Sequence, residues 1–373
     1  MKRRDFVRRA AGAGLALGGG LPSFCTRLAA FPPPPGLSRV EARYYRKLED
    51  REIECLLCPR ECRLGDKERG YCGVRENIGG TYYTLVYGKP CSLNVDPIEK
   101  KPFFHFLPGT TAFSLATAGC NVNCKFCQNW DISQVRPEQV DNYDLSPEQV
   151  ALQAERYGCA SIAYTYSEPV IFFEYMHDAA RAARGRGLRN AVVTGGYINP
   201  APLSDLIGVV DAIKVDLKAF SQDFYTEYVR GKLQPVLDAI KAIGRSRVWL
   251  EVVYLVIPSL NDSPTEIRNT ARWMKQEVGD HVPLHFSRFH PMYLMKNLPP
   301  TPVATLEAAR ETALDEGLKF VYVGNVPGHQ GENTYCPGCG RVVIRRVGYA
   351  VEKVELKKGR CGACGTVIPG VWE

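Results

Sequence analysis

Seven β-branched and aromatic runs between residues 113 and 323 constrain this chain most. They are Phe113–Ala116, Ser161–Tyr166, Asn190–Val193, Ala212–Leu217, Val248–Ile257, Val282–Phe286 and Lys319–Val323. Each is nearly continuous rather than strictly alternating, which suits a parallel sheet covered on both faces. Helix starts fall between them. Ser146-Pro147-Glu148-Gln149 supplies an N-cap serine, proline at the first helical position and glutamine at the third, with Leu145 and Val150 as a staple. Ser263-Pro264-Thr265-Glu266 repeats the capping pattern, and Thr301-Pro302 opens a helix that runs toward Gly317. Repeated βα units mean a barrel or an open parallel sheet, with the chemistry on loops at the carboxyl ends of the strands.

Directly after the first run stands Cys120-Asn-Val-Asn-Cys124-Lys-Phe-Cys127. Three thiolates on one tight loop can hold three irons of a cubane cluster and leave the fourth iron open. A structural zinc knot normally wants four protein ligands, and the next cysteine, Cys159, is remote. Other strand ends nominate companions. Glu168, in Tyr164-Thr-Tyr-Ser-Glu-Pro169, can accept a hydrogen bond from a ligand ammonium; a helix-start carboxylate is its plainer role. Lys214-Val-Asp216-Leu-Lys218 places three charges on one face of a buried strand, where they demand partners. Asp216 is the first candidate for a ligand or substrate contact and Lys218 the second. Arg288 suits a carboxylate or another anion, and Asn325 sits at a further strand end. Glu251 lies within a strand and either pairs inside or faces a neighbouring element. His105, between aromatics, reads as a packed histidine, with a role near the substrate as the alternative, and Lys100-Lys101 reads as a solvated pair that could otherwise meet an acidic partner.

Fourteen cysteines are many for 373 residues, and their grouping argues metal sites rather than a disulfide framework. Cys55, Cys58, Cys62 and Cys72 form an amino-terminal four-cysteine group that predicts a closed zinc or second iron–sulfur site. Cys336, Cys339, Cys361 and Cys364 form paired CxxCG knuckles around a short β-rich stretch, which predicts a zinc ribbon, with a rubredoxin-like single iron that would relay electrons as the alternative. The net charge of +7 is spread out and does not by itself argue for nucleic acid. Residues 1–30 carry a basic start, Lys2 to Arg8, and a mild apolar stretch, Ala10 to Leu21. With Arg3-Arg4 they resemble a twin-arginine export signal. Residues 31–38 are a Pro-rich linker, 39–110 a cysteine module and connector whose stretch Arg39 to Glu54 reads as helix, 111–330 the main domain, and 331–373 the ribbon-like module.

CNVNCKFC resembles the CxxxCxΦC signature of radical S-adenosylmethionine (radical SAM) enzymes, with Phe126 as the aromatic. From Cys55 to Trp372 the chain resembles one subfamily, the radical SAM component of the AmmeMemoRadiSam system, related to pyruvate formate-lyase (glycyl-radical) activating enzymes. The stretches that carry this are CLLCPRECRL, DPIEKKPFFHFLPG, CNVNCKFCQNW, YTYSEP, KVDLKAF, ENTYCPGCG and CGACG. One departure is Thr194-Gly-Gly-Tyr197, where Thr-Asn-Gly-Tyr is expected. The resemblance implies an α/β fold: a partial (β/α)6 TIM-like barrel with a small amino-terminal four-cysteine module and a carboxyl-terminal zinc-ribbon-like module. It implies a [4Fe-4S] cluster on Cys120, Cys124 and Cys127. The fourth iron takes the amino and carboxylate groups of S-adenosylmethionine, and one electron then yields a 5′-deoxyadenosyl radical. A flavodoxin- or ferredoxin-like protein is the implied donor, and a partner protein or a small molecule the implied target. RNA modification with the ribbon as docking module, and a non-enzymatic electron carrier, are the competing readings. The export signal points to periplasm or membrane, whereas S-adenosylmethionine and low-potential donors are cytoplasmic supplies.

Overall fold

The computed structural model describes residues 36–373. The expected signal segment lies outside the described residues, as does most of the Pro-rich linker. Among the described residues no helix is long and apolar enough to cross a membrane.

The centre is an eight-stranded sheet whose strands lie in sequence order. They are β1 (Ser92–Pro97), β2 (Thr111–Ala116), β3 (Ser161–Tyr164), β4 (Arg189–Thr194), β5 (Ala212–Asp216), β6 (Trp249–Val256), β7 (Leu284–Arg288) and β8 (Val321–Gly324). β1 runs antiparallel to β2, and every later pair is parallel. Six helices make the crossovers: α1 (Pro147–Arg156), α2 (Phe173–Arg184), α3 (Pro200–Val209), α4 (Leu233–Gly244), α5 (Pro264–Glu277) and α6 (Val303–Asp315). The caps sit where the sequence puts them. Ser146 accepts from Gln149 N–H while the Gln149 side chain accepts from Ser146 N–H, and Ser263 accepts from Glu266 N–H.

Side chains alternate across each strand, and the two faces differ sharply. Ile162, Val192, Ile213, Val215, Leu250 and Val252 face the helices and join the main core. The inner face carries small or charged residues instead. Ala163, Ala191 and Ala212 stand in one register row. Their small size leaves room for Phe103 and Phe106, which pack on them with Ile98 and Leu107. The connector thus plugs the amino-terminal end of the sheet's inner face and leaves the carboxyl end open for a cavity.

Two expectations fail in the stretch from Arg39 to Cys72. The stretch from Arg39 to Glu54 is not helical: it forms short strands Val40–Glu41, Tyr45–Lys47 and Ile53–Cys55. Tyr45–Lys47 pairs antiparallel with Ile53–Cys55 across a turn in which Asp50 has φ 52°, so strand pairing overrides its helical spacing. The expected amino-terminal metal module is also absent. Among the described residues, the one group of ligand-type side chains converging within 4.8 Å is Cys336, Cys339, Cys361 and Cys364. Cys55 and Cys58 instead join the apolar core with Leu57 and Tyr82, where burial raises both thiols. Among the described residues there is therefore one four-cysteine knot, at the carboxyl-terminal end, and the cofactor set loses the predicted amino-terminal zinc or second cluster.

The amino-terminal segment has another task, which is to buttress the loop after β2. Gly119, at φ +94°, lies so close beneath it that a Cβ would come within 2.5 Å of the Cys72 carbonyl. Arg60 Nε donates to the Asn121 carbonyl at 2.8 Å.

Candidate active site

The loop after β2 is held from several sides. Gly119 N–H donates to Ile132 O, Asn123 N–H to Val229 O and Lys125 N–H to Tyr228 O, at 2.9, 3.1 and 2.8 Å. Asn121 Nδ2 adds a bond to Tyr197 O. So fixed, Cys120, Cys124 and Cys127 line a cavity of about 480 Å³ at the carboxyl ends of the strands. Burial pushes all three thiols up, Cys124 to about 12. Cys127 Sγ lies 3.1 Å from the Ser133 hydroxyl.

Glu168, Asp216, Lys218 and Asn325 line the same cavity. Glu168 is buried and caps the turn Pro169–Phe172 through Val170 N–H. It also accepts from Thr194 Oγ1 at 2.6 Å and Gly195 N–H at 2.8 Å. Burial raises its carboxyl, and those donors work against the rise. The glycine at position 195 matters here, since a Cβ would come within 3.3 Å of Glu168 Oε2. Both roles foreseen for Glu168 are thus open: it caps a helical turn and it borders the cavity.

Lys214, Asp216 and Lys218 form the ladder that their spacing suggested. Asp216 accepts from Lys214 Nζ and, at 3.1 Å, from Lys218 Nζ. Burial opposes its charge, but the two ammonium groups prevail and hold it near 2. Its side chain keeps 28% of its surface accessible, whereas that of Lys214 keeps 4%.

Arg288 does not line the cavity. It belongs to the outer face of β7 with Leu284 and Phe286, and its Nε donates to Thr301 O at 2.8 Å. The inward residues of β7 are His285 and Ser287, and both border the cavity. The sequence reading missed both, and period-two alternation along the strand is the signal that would find them. Lys101 is a second residue that sequence reasoning misjudged. It is 2% exposed, paired with Asp96, lies 4.3 Å from the Tyr166 ring and borders the cavity.

The carboxyl-terminal knot is separate from this cavity. Cys336 Sγ lies 3.5 Å from Cys364 Sγ, and Cys339 Sγ lies 3.8 Å from Cys361 Sγ. A tetrahedral ion with bonds of about 2.3 Å sets its sulfurs roughly 3.8 Å apart, so the four thiols fit such an ion. The module is docked by Arg346, fully buried, which donates to Phe104 O at 2.7 Å and to Thr334 Oγ1 at 2.9 Å. His105 is packed, as expected: Nδ1 donates to Pro369 O at 2.6 Å and Nε2 accepts from the Tyr322 hydroxyl.

The model of the Radical SAM superfamily matches residues 114–274, which span the loop, Glu168 and Asp216. The chain belongs to the radical SAM superfamily. An uncharacterized protein of Methanocaldococcus jannaschii is 46% identical over 330 residues, covering 88% of this chain and 98% of that protein. The pyruvate formate-lyase-activating enzyme of Clostridium pasteurianum is 23% identical over 181 residues, covering 45% of this chain and 72% of that enzyme. Kinship with glycyl-radical activating enzymes is therefore distant. Among solved structures, a radical SAM methyltransferase from Sphaerobacter thermophilus aligns with TM-score 0.48 and 16% identity, over 80% of this chain and 81% of that one. The chain thus carries a radical SAM catalytic domain and, separately, a cysteine knot able to hold a metal ion. In this radical SAM domain the donor set fits the group the family implies. It offers three thiols on one loop, beside a cavity bordered by a carboxylate pair and an ammonium group.

Proposed function

We propose that this chain is the radical SAM component of an AmmeMemoRadiSam-type system, which cleaves S-adenosylmethionine reductively and abstracts hydrogen from a substrate held in the same cavity. One observation carries the reading: Cys120, Cys124 and Cys127 share one cavity with Glu168, Asp216 and Lys218. When bound to the three thiols, a [4Fe-4S] cluster supplies the electron that breaks the sulfonium and gives a 5′-deoxyadenosyl radical.

The chain's own residues bind and orient. Glu168, with one lone-pair position left beyond its three donors, accepts from the methionine ammonium. Lys218 holds Asp216 ionised, and Asp216 turns its accessible edge toward the ligand. The Phe103 and Phe106 plug closes the far end of the sheet and keeps bulk water out. A one-electron donor protein of flavodoxin or ferredoxin type reduces the enzyme. The carboxyl-terminal knot holds zinc as a closed structural site.

The test is anaerobic reconstitution with iron and sulfide, followed by dithionite and S-adenosylmethionine. Release of 5′-deoxyadenosine that vanishes in Cys124→Ala is the expected result. No release from a fully loaded protein sinks the proposal.

A further inference from the structure

The cavity extends past the cysteine loop along the inner faces of β5 to β8. Asp216, Val253, His285 and Tyr322 stand in one register row, and Leu255, Ser287 and Gly324 in the next. His285 is 1% exposed, and its Nε2 lies 2.7 Å from Glu251 Oε2. Glu251 is itself buried and accepts from Phe104 N–H, His105 N–H and Trp249 Nε1. Burial opposes its charge, but His285 and these donors keep its carboxyl low. An ionised carboxylate only accepts, so Nε2 carries the proton. Burial also holds the imidazole neutral. Nδ1 is then a bare lone pair.

That lone pair has no hydrogen-bond partner among the described residues. Nor can the ring turn away to find one. Tyr322 stacks on it at 4.9 Å, and the edge of Phe104 meets it at 4.8 Å. Glu99, 1% exposed, also borders the cavity and likewise leaves one oxygen, Oε2, without a partner. Buried acceptors are nearly always satisfied, and a fixed unsatisfied one beside a cavity is a place prepared for a donor.

We propose that the inner end of this cavity binds a small polar molecule through an O–H or N–H donated to His285 Nδ1, with Glu251 fixing that nitrogen as the acceptor. The inference rests on the radical SAM reading of the cysteine loop, and it names the class of molecule that receives the radical. The whole cavity is about 480 Å³ and also has to seat the proposed S-adenosylmethionine, so what its inner end leaves is room for a small molecule only. Gly348 and Tyr349, from the turn of the carboxyl-terminal hairpin, stand in its wall. With that turn in the wall, we take a free small molecule rather than a protein segment as the occupant.

The experiment uses the full chain with ring-15N-labelled histidine, read by NMR. Ethylene glycol is the donor probe, and 1,2-dimethoxyethane is its methylated counterpart without a donor. The Nε2–H tautomer of His285 is expected in the free protein. Glycol should shift the Nδ1 resonance, and the diether should bind about tenfold more weakly or worse, since it leaves the acceptor unpaired. In His285→Phe, a crystal soaked in glycol should show no glycol at this position. An Nδ1–H tautomer overturns the proposal, as does an equal response to both probes or to neither. A response to N-acetylglycinamide alone also overturns it and assigns the cavity to a protein segment. The underlying reading is judged apart, by 5′-deoxyadenosine from the unaltered reconstituted enzyme. Nucleoside release without a donor-selective response refutes this inference alone. A donor-selective response without nucleoside refutes the radical chemistry alone.

Discussion

The two cysteine groups near the ends of the inner cavity and of the chain differ in spacing, burial and company. The four thiols of Cys336, Cys339, Cys361 and Cys364 converge within 4.8 Å of one another, with Cys336 and Cys361 backed by an apolar cluster that includes Phe104, Phe320 and Ile344. The three of Cys120, Cys124 and Cys127 stand on one loop and open onto a cavity bordered by Glu168, Asp216 and Lys218. The first arrangement saturates an ion and stabilises a small module that has little core of its own. The second leaves a position for a ligand. A cysteine count does not separate them; the number of thiols that converge, and what else faces the same space, does.

The largest way to break this contrast is Cys124→Ala. It should cut 5′-deoxyadenosine formation by more than about 100-fold, since losing a ligand exceeds the loss of a supporting residue. The metal content of the carboxyl-terminal knot, read by elemental analysis, should not change. Equal loss of both metals would mean that the two groups are not independent. The converse variant, Cys361→Ser, should lower unfolding free energy by roughly 3–5 kcal/mol and release the knot's metal, with iron retained at the loop. Retained stability in a chelator-treated Cys361→Ser protein would remove the structural role.

The seam between module and sheet gives a pH test. His105 is buried with both ring nitrogens hydrogen-bonded, and burial pulls it down from 6.5 to about 4. Between those values the unfolded chain binds the extra proton, so stability falls as pH drops from 6.5 to 4, by on the order of 3 kcal/mol. His285 titrates in the same direction. Denaturant melts at intervals across that window should show the slope, and His105→Gln should flatten part of it. A flat profile in the unaltered protein would contradict a neutral packed His105. The smallest effect belongs to Asp216→Asn, which removes the charge facing the cavity and leaves two lysines uncompensated. KM for S-adenosylmethionine should rise about tenfold with kcat much less affected. An unchanged KM would place Asp216 in the strand's charge balance alone.

Much of this was legible in advance. The seven parallel strands, the caps at Ser146 and Ser263 and the carboxyl-terminal ribbon follow from patterns of residues close in sequence. The loop's place after the first parallel strand follows from the rule for βα sheets. The failures share a cause. Arg39 to Glu54 has helical spacing, yet short antiparallel pairing decides its form. Cys55, Cys58, Cys62 and Cys72 have metal-ligand spacing, but Cys55 and Cys58 are taken into apolar packing. Lys101 has the composition of a surface residue, but Asp96 and Tyr166 arrive from two other strands' ends to receive it. Arg288 and His285 were separable by strand alternation alone, and the charge of Arg288 drew attention to the wrong face.

By itself the sequence determined the order of the βα units, the superfamily and the cysteine loop after the first parallel strand, because each is written in contiguous residues whose local geometry is short-range. Only the tertiary structure decided which four cysteines meet. It also decided that the connector's phenylalanines plug the sheet over a row of alanines, and that Glu251 reaches His285 from the neighbouring strand. Those outcomes depend on which strand face meets which, and register between residues tens of positions apart is set by packing rather than by any one stretch of chain.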